Sequence, residues 1–184
     1  MELNSIIEII DKCVILKKEV AEYEATITTT ENVKDKIVTK KEKAKADNEI
    51  ELIDRLTKYS QTLNTFIQRA ATGINSIKPT LDKTQKLYED SMNSLNKEDK
   101  QKLLGMLRSK VSVLEDKASE LSNSINTAVK NGNKAYKQLD FIKEGRYNDI
   151  VSDKALELVN LKSTLDQYYT FIKDIENRIS FGGK

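Results

Sequence analysis

The sequence predicts an all-α protein, an elongated antiparallel bundle of about four long amphipathic helices with coiled-coil-like seams. Three observations lead there. Apolar residues recur at alternating three- and four-residue steps along most of the chain, the spacing that keeps one helical face turned toward a neighbour. One proline and six glycines serve 184 residues, too few for the many tight turns of an all-β or α/β domain. Charged residues make up 33% and hydrophobic residues 38%, a balance that suits a thin bundle with much surface per residue better than a sphere. The expected organisation is one helical-bundle domain over 1–184. Its helices fall at about 3–46, 49–95, 97–130 and 134–180, followed by a frayed tail at 181–184.

The first segment carries Ile6, Ile9, Cys13, Leu16, Val20, Tyr23 and Ile27 in three-and-four steps, beside a parallel stripe through Leu3, Ile7, Ile10 and Val14. Two adjacent stripes make a wide apolar face, as on a helix that touches two neighbours. Apolar character thins at Thr26, Thr28, Thr29 and Thr30, whose branched β-carbons lose rotamer freedom in a helix. Residues 31–46 read as helix at an edge or protruding, either continuous with the first or restarted with Thr30 as N-cap. A connection follows near Asp47-Asn48.

The second seam runs through Leu52, Leu56, Tyr59, Leu63, Phe66, Ala70, Ile74 and Ile77, flanked by Ile53 and Ile67. Ala70, Ala71 and Gly73 place small residues where another backbone can come close. Pro79 lacks a donor and crowds the preceding turn, so it kinks this helix or starts another. The pattern resumes at once with Leu81, Thr84, Tyr88, Ser91 and Leu95, which favours a kinked continuation. Asn96 before Lys97-Glu98-Asp99 is an N-terminal signature, a capping side chain with acids in the first turn. Leu103, Leu107, Val111, Leu114, Ala118, Leu121, Ile125 and Ala128 form the third seam. Asn131-Gly132-Asn133 is the expected stop, since both residue types tolerate the left-handed conformation of a C-cap. The last segment begins with Tyr136, Leu139 and Ile142, meets a potential break at Gly145–Asp149, and repeats the seam through Ala155, Leu158, Leu161, Leu165, Tyr168, Ile172, Ile175 and Ile179. The stretch from Ile77 to Asp82 resembles that from Leu161 to Asp166, a similarity that any two lysine- and leucine-rich heptads produce.

Charge and residue usage narrow the chemistry. The net charge is +2, from 31 basic and 29 acidic residues, which argues against nucleic acid as partner. One basic block holds Lys34, Lys36, Lys40, Lys41, Lys43 and Lys45. It reads as a solvated helix, with phosphate or anionic lipid as the functional alternative. Histidine is absent and Cys13 is the single cysteine. That removes His-based nucleophile pairs, disulfides and the usual zinc ligand sets. Glu19 and Glu22, or Glu115 and Asp116, could supply acid and base, but their spacing is that of ordinary helix-surface charge. Lys17 lies in register with the second stripe of the first helix, where lysines usually extend their heads to water.

No catalytic residue, metal ligand, cofactor or small-molecule substrate is therefore expected. The sequence points to a non-enzymatic interaction or scaffolding module with a protein partner or self-association. The alternative is a membrane-acting protein, such as a soluble component of a helical pore-forming assembly, with a membrane surface as partner. Candidate partner-binding residues are Tyr168, Tyr169, Lys40, Lys41 and Lys43, the adjacent tyrosines because their rings must point to different flanks. No signal peptide or membrane span is visible, so a cytoplasmic location is expected, with leaderless export left open.

Overall fold

A computed structural model describes residues 2–181. It is an all-α helical bundle of four long helices, α1 (Leu3–Ala46), α2 (Ile50–Ser94), α3 (Lys97–Lys137) and α4 (Phe141–Phe181), with no strand among the described residues. Of the tail expected to fray, Phe181 closes α4, and residues 182–184 lie outside the described part.

The helices are longer and less interrupted than their sequence punctuation suggests. The hydroxyls of Thr26, Thr28 and Thr30 donate to the carbonyls of Glu22, Glu24 and Thr26, at 2.9, 3.0 and 2.7 Å. Each threonine is thereby satisfied inside the helix, and α1 runs through without a cap at Thr30. Helix α2 likewise continues past Pro79, which is exposed.

The expected stop at Asn131-Gly132-Asn133 is corrected, because α3 continues to Lys137. Gly132 is buried, and a Cβ there would lie 3.4 Å from that of Tyr147. That is an ordinary contact distance, and Gly132 keeps a helical rather than a left-handed backbone; α4 likewise runs through Gly145. The N-cap at Asn96 does form, its side-chain oxygen accepting from the Asp99 amide at 2.8 Å.

Close contacts group the chain into two compact units whose boundaries fall inside helices. The first unit combines α1 through Val14 with everything from Tyr88 onward. Its core takes Ile6, Ile10, Cys13 and Val14 from α1 and Tyr88 and Met92 from α2. It adds Leu103, Leu104, Leu107 and Val111 from α3, and Leu165, Tyr168, Phe171, Ile172 and Ile175 from α4. Both stripes of α1 are thus used, as a four-helix core requires. Helices α3 and α4 are antiparallel, with ion pairs Arg108–Glu176 at 2.6 Å and Lys117–Glu157 at 2.9 Å stepping in opposite directions along them.

The second unit, Ile15–Leu87, is the hairpin of α1 and α2. Its buried residues are fewer: Ile37, Ala44, Leu63, Ala70, Ile74 and Thr84. The tip of the Tyr23 ring lies against Gly73, so close that a Cβ there would be 2.6 Å from its Cζ.

Candidate functional site

Of the five residues singled out from sequence, Tyr168 is a core residue. It is only 5% exposed, its hydroxyl donates to Asp11 Oδ1 at 2.7 Å, and Lys110 Nζ lies 5.4 Å from its ring centroid while pairing with Asp11. Burial, then the bond to Asp11, pushes its ionisation above the ordinary tyrosine range. Tyr169 faces outward at 41% exposure, with its hydroxyl donating to Glu115. That bond, with lesser burial, also raises its ionisation. The adjacent rings do point to different flanks, and only Tyr169 remains accessible. Lys40 and Lys43 are exposed and Lys41 is half-buried, all in the second unit. Tyr168 and Tyr169 belong to the first unit and the three lysines to the second.

Sequence reading passed over two other features. In the second unit, α2 leaves Leu52, Tyr59 and Phe66 between 40% and 52% exposed. These side chains stand seven residues apart, on one line along the helix. The line lies beside the buried seam of Leu63, Ala70 and Ile74 rather than in it. From Arg55 to Leu81, α2 carries four cations, Arg55, Lys58, Arg69 and Lys78, and no carboxylate. From Glu19 to Val33, α1 carries four carboxylates, Glu19, Glu22, Glu24 and Glu31, and no cation.

The other feature is the turn joining α3 to α4. The Asp140 amide donates to the Ala135 carbonyl at 3.0 Å and the Leu139 amide to that of Tyr136 at 2.9 Å. This is the six-residue cap that normally places glycine or asparagine in the left-handed position. Leu139 occupies it with φ 57°. The α1–α2 turn has the same pattern, Glu49 to Ala44 at 2.9 Å and Asn48 to Lys45 at 3.2 Å, with Asn48 at φ 55°. The first turn is polar at its apex. The second exposes Tyr136, Leu139, Phe141 and Ile142, two of them about three-quarters open to solvent.

The two tyrosines whose ionisation is displaced most, Tyr88 and Tyr168, sit at packing positions. Tyr88 is buried, edge-on to the Phe171 ring at 4.9 Å between centroids, and donates to Asp174 Oδ2 at 2.7 Å. Burial and then Asp174 raise its ionisation strongly. Arg178 Nε binds the same Asp174 oxygen at 2.8 Å and reaches Glu89 and Asn93. Among the described residues, no three His, Cys, Asp or Glu side chains are gathered to hold a metal ion, and no helix is long and apolar enough to cross a membrane.

The fold thus defines the class, a bundle of long α-helices with two helical hairpins. No protein-family model, no curated protein and no solved structure matches this chain.

Proposed function

We propose that this chain is a non-catalytic interaction module whose α1–α2 hairpin docks on the same hairpin of a second copy. The exposed line of Leu52, Tyr59 and Phe66 carries this reading. Heptad spacing is what a further helix recognises, each side chain entering a gap between residues of the facing helix. The occupant follows from charge. Within the hairpin, residues 19–33 of α1 are acidic, the lysine block follows them at 34–45, and residues 55–81 of α2 are basic. A two-fold axis that sets residues 19–33 of one copy beside residues 55–81 of the other brings acid against base, and disfavours α2 against α2. The displaced tyrosine ionisations fit a module without chemistry, because Tyr88 and Tyr168 hold helices together inside the packed core.

Light scattering of the whole chain over a hundredfold range of concentration tests the assignment. The expected result is a reversible dimer that weakens as salt rises. Tyr59→Ser combined with Phe66→Ser is expected to leave a monomer of unchanged helicity, since both side chains are half-exposed already. A wild-type chain that stays monomeric throughout, or a dimer indifferent to the two serines, overturns the reading.

A further inference from the structure

The turn between α3 and α4 combines backbone strain with a cluster of exposed apolar side chains, whereas the turn between α1 and α2 has Asn48 in the left-handed position and exposes Ile50. Both turns use the same backbone cap, but Leu139 stands where the other has Asn48. A branched-chain residue in the left-handed region costs roughly 1–2 kcal/mol. Leu139 is also 73% exposed and Ile142 74%, with Phe141 and Tyr136 open beside them and their rings edge-on at 6.4 Å. Four large apolar side chains within seven residues therefore face water at the apex of a hairpin. Strain and exposure placed together mark a segment kept for contact.

Charge around the apex indicates what it contacts. Lys130, Lys134 and Lys137 follow one another down the last turns of α3, and all are exposed. With Asn126, Val129 and Asn133 they line a shallow groove. Lys143 and Arg146 stand on the first turns of α4. Asp140 is held by Lys143 at 2.8 Å, which keeps its carboxyl below the usual range, and Glu144 is the other acid of the segment. Over the equivalent stretch, 39–55, the α1–α2 apex is balanced, with Glu42, Asp47, Glu49, Glu51 and Asp54 against Lys40, Lys41, Lys43, Lys45 and Arg55.

We infer that the α3–α4 apex is a membrane-contact site. Leu139, Phe141 and Ile142 enter the interfacial layer of an anionic bilayer, Tyr136 lies at the headgroup level, and Lys130, Lys134 and Lys137 bind lipid phosphates. Apolar wedges of this size anchor weakly, and a basic collar supplies the second component that stable attachment needs. No helix has to cross the bilayer. The site lies in the first unit and stands independently of the hairpin docking proposed above.

Flotation of the full chain tests it, with vesicles of phosphatidylcholine alone or with phosphatidylglycerol in a two-to-one ratio. Binding to the anionic vesicles and not to the neutral ones is expected. Leu139→Asn is the decisive variant, because asparagine relieves the cap. It should raise the unfolding midpoint and still weaken vesicle binding about tenfold, as should Ile142→Ser. The protein has no tryptophan, so Phe141→Trp adds a single reporter whose emission should shift to the blue on anionic vesicles. Absence of flotation at low salt overturns the inference. So does flotation that survives both Leu139→Asn and Ile142→Ser with the tryptophan still in water, which is adsorption by charge alone.

Discussion

Tyr88 shows how a single side chain ties helices together in the first unit. Its ring packs on Phe171 while its hydroxyl reaches Asp174, and Arg178 closes the group from the next turn of α4. A bond from a buried hydroxyl to a carboxylate contributes about 1.5–3 kcal/mol. Tyr88→Phe should cost near the lower figure, since Asp174 keeps Arg178. The bond also has a pH signature. Folding raises the ionisation of Tyr88 above its ordinary value of 10.0, because burial and the Asp174 charge both oppose a phenolate. Stability from this source is fully present below pH 10 and falls as pH climbs beyond it, where the unfolded chain loses the proton first. Urea midpoints taken between about pH 9 and 11 should show wild type losing its advantage over Tyr88→Phe. A constant gap across that range means that neither burial nor the Asp174 carboxylate holds the phenol protonated. Tyr168 obeys the same sign, through burial first and Asp11 second.

Among the elements, α2 is the one whose sequence and structure disagree most informatively. A proline inside a helix removes one hydrogen bond and crowds the turn before it, yet α2 passes through Pro79 with its exposed side chain on the outer face. Neighbouring contacts hold the helix there, Ile74 and Thr84 being buried on either side. Pro79→Ala should restore the missing bond and raise stability by about 1–3 kcal/mol, read from the chemical denaturation midpoint. A drop instead would mean that the backbone geometry set by Pro79 is needed for packing. The heptad seams were legible because burial follows them: Leu103, Leu107, Val111 and Leu121 on α3, and Leu165, Tyr168, Ile172 and Ile175 on α4, are all buried. The end of α3 was not, because Asn131-Gly132-Asn133 has the composition of a cap while Gly132 lies buried within the helix, facing Tyr147 of α4. Local composition cannot separate a glycine that turns the chain from one buried inside a helix. That displaced stop also hid the apex, since Leu139 and Ile142 then read as seam residues. The exposed line of Leu52, Tyr59 and Phe66 was hidden differently. Periodicity identifies apolar faces, but whether a neighbour covers one depends on how many helices share the bundle at that level.

For the whole molecule, the two units should differ in how easily they open. The first gathers fifteen buried residues from all four helices into one cluster, and the second is a hairpin whose buried set is short and includes two alanines. Since each fully buried large side chain contributes roughly 1.5–3 kcal/mol, amides in the hairpin should exchange through openings of lower free energy. The boundaries at Val14–Ile15 and Leu87–Tyr88 lie within continuous helices, so protection should decline along α1 and α2 away from the core instead of dropping at a linker. Native-state hydrogen exchange followed by mass spectrometry reads this directly. It also separates the two proposals in one experiment, because binding stabilises only what it touches. Raising the protein concentration should slow exchange within Ile15–Leu87 and leave Leu103–Val111 unchanged. Adding anionic vesicles should instead protect the turn from Tyr136 to Ile142. Uniform opening of both units would mean that they unfold as one cooperative body. Protection of Ile15–Leu87 that ignores concentration would count against the second copy, whatever the vesicles do to the other hairpin.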